Sequence, residues 1–207
     1  MMAAIDPEPL WSRLAAFKGE IAFDIGANVG QASQVLAKNF SKVYAFEPCI
    51  ESFEALLKVS QQYPNIIPYN IAVSSKSGFV ELLIREHPIK SGQLVSLMGP
   101  DWGALLGKRL VPALTLDDLM DALGTPGFIK IDTEGHEYEV LKGGRRVLAK
   151  NPSLYIEIHA AELGERIMEL LSEFYQKGIE VIRHPHYTPY SPEWLNHFFI
   201  IGVLRPQ

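Results

Sequence analysis

Two carboxylates and two glycines near the N-terminus carry the first chemical signal. Asp24 lies in an apolar run, Ile21-Ala-Phe-Asp-Ile, and Gly26 and Gly30 follow it. A β-prone run broken by glycines and followed by helix-compatible sequence is the strand, turn and helix that bring a ligand against bare backbone. Asp24 sits in the last turn of the strand, where a carboxylate is costly unless it has a partner or faces a cleft. A second run, Val43-Tyr-Ala-Phe, ends on Glu47. That acid falls about twenty residues past the first glycine, where a βαβ nucleotide site places its ribose carboxylate. Two cofactors suit such a site. A dinucleotide needs G-x-G-x-x-G so that its pyrophosphate can approach the backbone, but the middle position is Asn28, and Asp24 would repel the phosphates. S-adenosylmethionine has no phosphate and a positive sulfonium, so it tolerates Asn28 and gains from a nearby carboxylate. The pattern favours the sulfonium cofactor. An ordinary βα turn, with glycines present only for close packing, uses the same residues.

A second group lies in two later runs, Phe128-Ile-Lys-Ile-Asp-Thr-Glu-Gly-His-Glu137 and Leu154-Tyr-Ile-Glu-Ile-His159. Both open as strands. Side chains alternate faces, so Phe128, Lys130 and Asp132 share one face, and Tyr155, Glu157 and His159 share one face of the next strand. Parallel pairing with matched ends puts Lys130 beside Glu157 and Asp132 beside His159. The first pair is expected to be structural, because a lone buried charge is costly. The second is expected to be functional, the carboxylate orienting the imidazole and raising its basicity. His159 is then the candidate base for an acceptor hydroxyl, with Glu134 and His136 as nearby alternatives. Capping the next helix is the plain structural role for His159. Asn70 ends a further run, where an adenine edge needs a hydrogen-bonding neighbour; a turn asparagine fits the same place.

These residues need a sheet to hold them. Beyond the runs already named, residues 66–73 read as a third strand interrupted by Pro68, residues 78–84 and 109–114 as added strands, and residues 181–182 and 198–204 as the last strands. Leu10, Trp11, Leu14 and Phe17 recur at helical spacing and predict a helix over 7–18. Phe53, Leu56 and Leu57 fit a helix after Pro48, and Thr115 caps a short helix that Gly124 and Pro126 end. Gly143-Gly144 breaks the helix that follows Asp132, and Leu163, Ile167, Leu170, Leu171 and Phe174 mark one face of another. Alternating strands and helices give an α/β, doubly wound, mostly parallel sheet, with ligands at the carboxyl ends of its strands. Asp24, Glu47, Asn70, Asp132 and His159 all fall at or near such ends.

Residues 85–108 hold two prolines and four glycines without periodicity, and a segment of that kind reads as a lid, here carrying Trp102. With the proline-rich loop after His184 it would form the acceptor pocket, offering Trp102, Tyr187, Tyr190 and Trp194 for stacking. Anchoring long loops is the other use for those aromatics. His184 and His186 resemble a metal pair, but no cysteine or acid accompanies them, so a substrate-rim or structural role is expected and no metal.

The 207 residues fit one domain. A net charge of -5 argues against broad nucleic-acid binding. Lys142, Arg145, Arg146 and Lys150 read as a solvated helix face. No run reaches the ~18 apolar residues of a membrane span, and the acidic, proline-containing start is not a secretory signal. The single Cys49 excludes an internal disulfide, agrees with a reducing, cytoplasmic setting, and reads as a packed residue.

Several blocks together resemble the FkbM family of methyltransferases: Phe23-Asp-Ile-Gly-Ala-Asn-Val-Gly-Gln31, Val43-Tyr-Ala-Phe-Glu-Pro48, Asn70-Ile-Ala72, Thr115-Leu-Asp117, and Ile129-Lys-Ile-Asp-Thr-Glu-Gly-His-Glu137 with Leu141-Lys-Gly-Gly144. The resemblance runs from about residue 20 to 160. It implies the class I S-adenosylmethionine fold, Rossmann-like with seven strands and the last antiparallel. It implies methyl transfer, usually to a hydroxyl of a sugar or natural product. By position, Asp24, Gly26, Asn28 and Gly30 would surround the methionine part of the cofactor, and Ala27 and Gln31 in the same block would also be cofactor-binding. Glu47 would take the ribose diol, Asn70 and Ala72 would lie by the adenine, and Asp132 and Glu134 would face the transferred methyl. The chain ends soon after the expected seventh strand, so no appended substrate domain is expected.

The combined expectation is an S-adenosylmethionine-dependent O-methyltransferase acting on a small hydroxyl acceptor, with no nucleic-acid partner, no membrane span, and homo-oligomers permitted. The rivals are a nicotinamide-dependent oxidoreductase and a non-catalytic cofactor-binding protein of the same fold.

Overall fold

Strands apolar on both faces build the centre of the molecule, as expected where helices cover both sides of a parallel sheet. The structure, a computed structural model, describes residues 13–85, 94–95, 105–158, 161–175, 179–183 and 199–203. Its strands are β1 (Gly19–Ile25), β2 (Phe40–Phe46), β3 (Ile66–Tyr69), β4 (Ala72–Val73), β5 (Gly78–Arg85), β6 (Leu94–Val95), β7 (Leu105–Leu114), β8 (Phe128–Ile131), β9 (Ser153–Ile158), β10 (Ile179–Arg183) and β11 (Phe199–Val203). Its helices are α1 (Gln31–Leu36), α2 (Ile50–Ser60), α3 (Leu116–Leu123), α4 (Glu137–Lys142), α5 (Arg145–Leu148) and α6 (Ala161–Ser172).

Seven strands form the main sheet in the order β10-β11-β9-β8-β1-β2-β3. β1, β2, β3, β8 and β9 pair in parallel, and β11 runs antiparallel to both its neighbours. Alternation splits the core in two. Phe23, Ile25, Ile129, Ile131 and Ile156 point to the side covered by α3, α4, α5 and α6. Ala22, Val43, Ala45, Phe128 and Tyr155 point to the side covered by α1 and α2.

The third strand departs from the sequence expectation. Residues 66–73 are not one strand: β3 edges the main sheet, while β4 leaves it and pairs with β7 in a second sheet, ordered β4-β7-β5-β6. The side-chain amide of Asn70 sits at the division. It donates to the carbonyls of Glu47 (2.8 Å) and Pro48 (3.1 Å) where the chain leaves the sheet. Pro68 is tolerated because β3 is an edge strand. The added strands expected at 78–84 and 109–114 are the long pair β5 and β7.

Local signals behave as read. Thr115 accepts the Asp118 N–H (3.0 Å) at the start of α3, and Gly124 ends that helix with φ 99°. Gly143 and Gly144 separate α4 from α5. A Cβ on Gly143 would lie 2.2 Å from the Ser74 carbonyl oxygen, so only glycine lets α4 pack against the end of β4. Arg145 pairs with Glu173, and Arg146 with Asp117 and Asp121. Residues 13 and 14 are helical and Leu14 is buried. The rest of the expected helix up to residue 12, most of the lid, and the loop after His184 with His186, Tyr187, Tyr190 and Trp194 lie outside the described residues.

Candidate functional site

The carboxyl ends of β1, β2 and β8 meet at one cleft, walled on its far side by β4 and β5. The turn after β1 folds over the tip of β2. The N–H groups of Gly26 and Ala27 both donate to the Phe46 carbonyl at 3.0 Å. Gly26 has φ 75°, and a Cβ there would lie 1.8 Å from the Asp132 carbonyl oxygen. The turn can therefore touch the tip of β8 only through glycine. Asn28 is left-handed (φ 49°) and sends its N–H to Glu47 Oε2 at 2.9 Å. Glu47 Oε1 accepts the Cys49 N–H at 2.8 Å. Glu47 is buried yet lines the cleft. Burial pushes its carboxyl up to about 7, against the lowering effect of the two backbone donors and Lys130.

An ion cluster lies under the turn. Asp24 is fully buried and accepts the Ser33 hydroxyl at 2.5 Å. Lys130 Nζ is 3.2 Å from Asp24 Oδ1 and 3.3 Å from Asp132 Oδ2, and donates to the Gly26 carbonyl at 2.8 Å. Burial by itself would push Lys130 down; Asp24 and then Asp132 outweigh it and hold the ammonium above its ordinary range. The expected Lys130–Glu157 partnership is corrected by the strand register. β9 sets Tyr155, not Glu157, level with Lys130, two residues away from the matched-end alignment. Glu157 acts on Lys130 as a weaker charge than Asp24 or Asp132. His159, and with it the expected Asp132–His159 pair, lies outside the described residues.

The loop after β8 makes the opposite wall. Asp132, Thr133, Glu134 and His136 line the cleft. Glu134 adopts φ 54° and Gly135 φ 104°, an uncommon backbone for a glutamate and one that clusters at functional sites. Buried Glu137 holds this shape: its Oε1 accepts the Gly135 N–H (2.9 Å), the Thr133 N–H (3.1 Å) and the Thr133 hydroxyl (3.3 Å). His136 Nε2 lies 2.9 Å from Ser74 Oγ. Burial lowers the His136 pKa, with Glu139 and Glu137 opposing it. Pro48, Cys49, Ser52, Ile71, Ala72, Val73, Val80 and Leu82 complete a largely apolar side.

Of the residues singled out from sequence, Gly26, Asn28, Glu47, Ala72, Asp132 and Glu134 line the cleft together. Asp24 sits beneath the turn. Ala27 and Gly30 shape the turn from its buried side, and Gln31 opens α1 at the surface. Asn70 is spent on two carbonyls behind Glu47, the turn role. Sequence reasoning missed Lys130 as the knot between Asp24 and Asp132, Glu137 as the loop's anchor, and the Ser74–His136 contact. Alternation along the fourth strand did carry a signal for Lys130, since it put that residue on the same face as Asp132. Among the described residues, no group of three or more His, Cys, Asp or Glu is placed to hold a metal ion, and no helix is long and apolar enough to cross a membrane.

A main sheet of this order, with one antiparallel strand and a glycine turn under an acid at the next strand's tip, defines a class I methyltransferase fold. The family model described as the methyltransferase FkbM domain matches residues 24–178, and the chain belongs to that family. A curated relative, the hexuronic acid methyltransferase AglP of Haloferax volcanii, is 29% identical over 161 residues, covering 76% of this chain and 64% of the relative. The chain thus spans less than two thirds of that relative's length. The crystal structure of methyltransferase FkbM from Methylobacillus flagellatus KT superimposes with a TM-score of 0.62 at 21% identity, covering 88% of this chain and 43% of that one. Aeropyrum pernix fibrillarin, solved with natively bound S-adenosyl-L-methionine, gives 0.55 at 13% identity, covering 90% and 67%.

Proposed function

We propose that this chain binds S-adenosylmethionine in the described cleft and methylates a hydroxyl of a sugar or related small molecule. The observation that carries the reading is Glu47. It is a buried carboxyl on a cleft wall, oriented by the Asn28 and Cys49 N–H groups, with its strand-tip neighbours built from glycine turn and acid. A vicinal ribose diol offers two hydroxyl donors to such a group, and charge-assisted bonds of this kind are the strong ones. The apolar side formed by Ile71, Ala72, Val80 and Leu82 suits a flat base. The nicotinamide alternative would set a pyrophosphate against the glycine turn, where Asn28 stands in the middle glycine position and Asp24 lies beneath.

When bound, S-adenosylmethionine supplies an activated methyl group on a cationic sulfur. The protein's part is positioning and electrostatics. Gly26 and Asn28 shape the turn against which the cofactor lies. Asp132 and Glu134 place negative charge on the wall facing it, and Lys130 fixes Asp132 in orientation. The AglP name points to a hexuronic acid, which makes uronic acid glycosides the first acceptors to test.

Isothermal titration with S-adenosylhomocysteine tests the binding half, and mass spectrometry of uronic acid glycosides incubated with S-adenosylmethionine tests the transfer. Saturable micromolar binding and a gain of one methyl are expected. No heat at high micromolar ligand would remove the cofactor reading. Binding without transfer to any sugar hydroxyl would leave the non-catalytic alternative.

A further inference from the structure

We propose that His136 is the catalytic base, taking the acceptor hydroxyl's proton on Nδ1 while buried Ser74 holds the opposite edge of the ring; this rests on the methyltransferase reading above. His136 lines the cleft two residues after Glu134. Its Nε2 is 2.9 Å from Ser74 Oγ, and Ser74 is only 5% exposed at the end of β4. Both partners are clamped. The Ser74 N–H donates to the Leu114 carbonyl at 3.0 Å. Gly143 packs on the Ser74 carbonyl, so α4 cannot move away from β4 without opening that contact. Glu137 ties down Thr133 and Gly135 immediately before His136. A ring whose Nε2–H donates to the serine oxygen keeps its lone pair on Nδ1, and Nδ1 is then the atom that accepts a proton.

Charge argues for this base over its neighbours. Asp132 is already engaged by the Lys130 ammonium. Burial disfavours the charged form of His136, against the pull of Glu139 and Glu137 of α4; Asp132 and Glu134 of the loop line the same cleft, and the β4 contact is the uncharged Ser74. In the transfer, the acceptor oxygen attacks the methyl carbon, the C–O bond forms as the C–S bond breaks, and the breaking pair stays on sulfur. The hydroxyl proton passes to Nδ1. The positive charge lost at sulfur reappears on the imidazolium, and the acidic wall stabilises it in both places. The ring then returns the proton to solvent.

Histidine ¹⁵N NMR on the intact protein, with His136→Gln for assignment, reads the tautomer without any acceptor. The expected result is the Nε2–H form for neutral His136, a titration midpoint below that of an ordinary histidine, and a change in both in Ser74→Ala. An Nδ1–H tautomer, or a Ser74→Ala spectrum identical to wild type, would overturn the proposal. In parallel, His136→Gln should bind S-adenosylhomocysteine within about twofold of wild type, and should transfer methyl to methyl β-D-glucuronide about 10²- to 10⁴-fold more slowly, the usual size of a general-base contribution. The wild-type rate should fall below the His136 midpoint, and this limb should be absent in the variant. Full transfer activity in His136→Gln would refute the base assignment while leaving the methyltransferase reading intact. Failure of wild type to bind S-adenosylhomocysteine would end that reading, and this inference with it.

Discussion

Asp24 and Lys130 face each other directly across the β1–β8 pairing, with carboxylate and ammonium 3.2 Å apart and both side chains almost wholly buried. The pair links the glycine turn after β1 to the loop after β8, because the same ammonium reaches the Gly26 carbonyl and Asp132. Replacing Lys130 with Met should cost about 3–5 kcal/mol of stability, the usual penalty for leaving a buried partner charge uncompensated. Urea denaturation measures it. The double variant Asp24→Asn/Lys130→Met should be less destabilised than the sum of the singles; strict additivity would mean that the two charges do not interact.

Glu47 should make stability and binding depend on pH in opposite ways. Its folded value is raised from an ordinary 4.5 to about 7 by burial. The folded state therefore holds more protons than the unfolded chain between those values, and stability falls as pH rises through that window, by roughly 3 kcal/mol in all. Cofactor affinity should move the other way, because the carboxylate accepts two ribose hydroxyls better than the acid does. Glu47→Gln should flatten the stability profile between pH 5 and 7.5 and weaken S-adenosylhomocysteine binding. Glu47→Ala should likewise lose up to about 1.5–3 kcal/mol per bond of binding without unfolding. A Gln variant that tracks wild type in both profiles would reduce Glu47 to a buried structural acid.

Gly26→Ala should fail on two counts. The residue would adopt φ 75°, and its Cβ would meet the Asp132 carbonyl at 1.8 Å. Strain of the first kind alone costs about 1–3 kcal/mol, and the clash forces β1 and β8 apart at their tips. A loss of at least about 3 kcal/mol is expected, with cofactor binding abolished. Gly107→Ala is the control: nothing lies within 4 Å of its Cβ position, and a change within about 0.5 kcal/mol is expected there. Equal melting temperatures for the two variants would contradict the tight crossing.

These residues also show what could be read in advance. The Asp24–Gly26–Gly30 turn, the Glu47 tip, the Thr115 cap and the Gly143–Gly144 break are local signals, each a residue type serving a neighbour within a few positions. Alternation correctly put Lys130 and Asp132 on one face. It could not give the offset of β9, because sliding a strand by two residues preserves every face, and Tyr155 rather than Glu157 came level with Lys130. The Ser74–His136 contact spans 62 residues. It depends on β4 leaving the main sheet, which the continuous run 66–73 conceals. Glu137 took no role of its own from the sequence, and only the folded loop shows three donors converging on one of its oxygens.

Asn70 separates two roles that its position allowed. Its amide donates to the Glu47 and Pro48 carbonyls, at 2.8 and 3.1 Å, and it does not line the cleft. Removing those donors leaves two part-buried carbonyls without their partner, which costs about 1–3 kcal/mol. It also frees the chain to continue β3 toward β4 in one sheet. Asn70→Ala should therefore lower stability in urea while changing S-adenosylhomocysteine affinity by less than about tenfold. Asn70→Asp sharpens the test. It keeps the size and an acceptor oxygen but loses both N–H donors, and it adds a charge behind Glu47. It should be at least as unstable as the alanine variant. An Asn70→Asp protein of wild-type stability with sharply weakened binding would instead place the amide on the adenine, and the turn at Asn70 would need another cause.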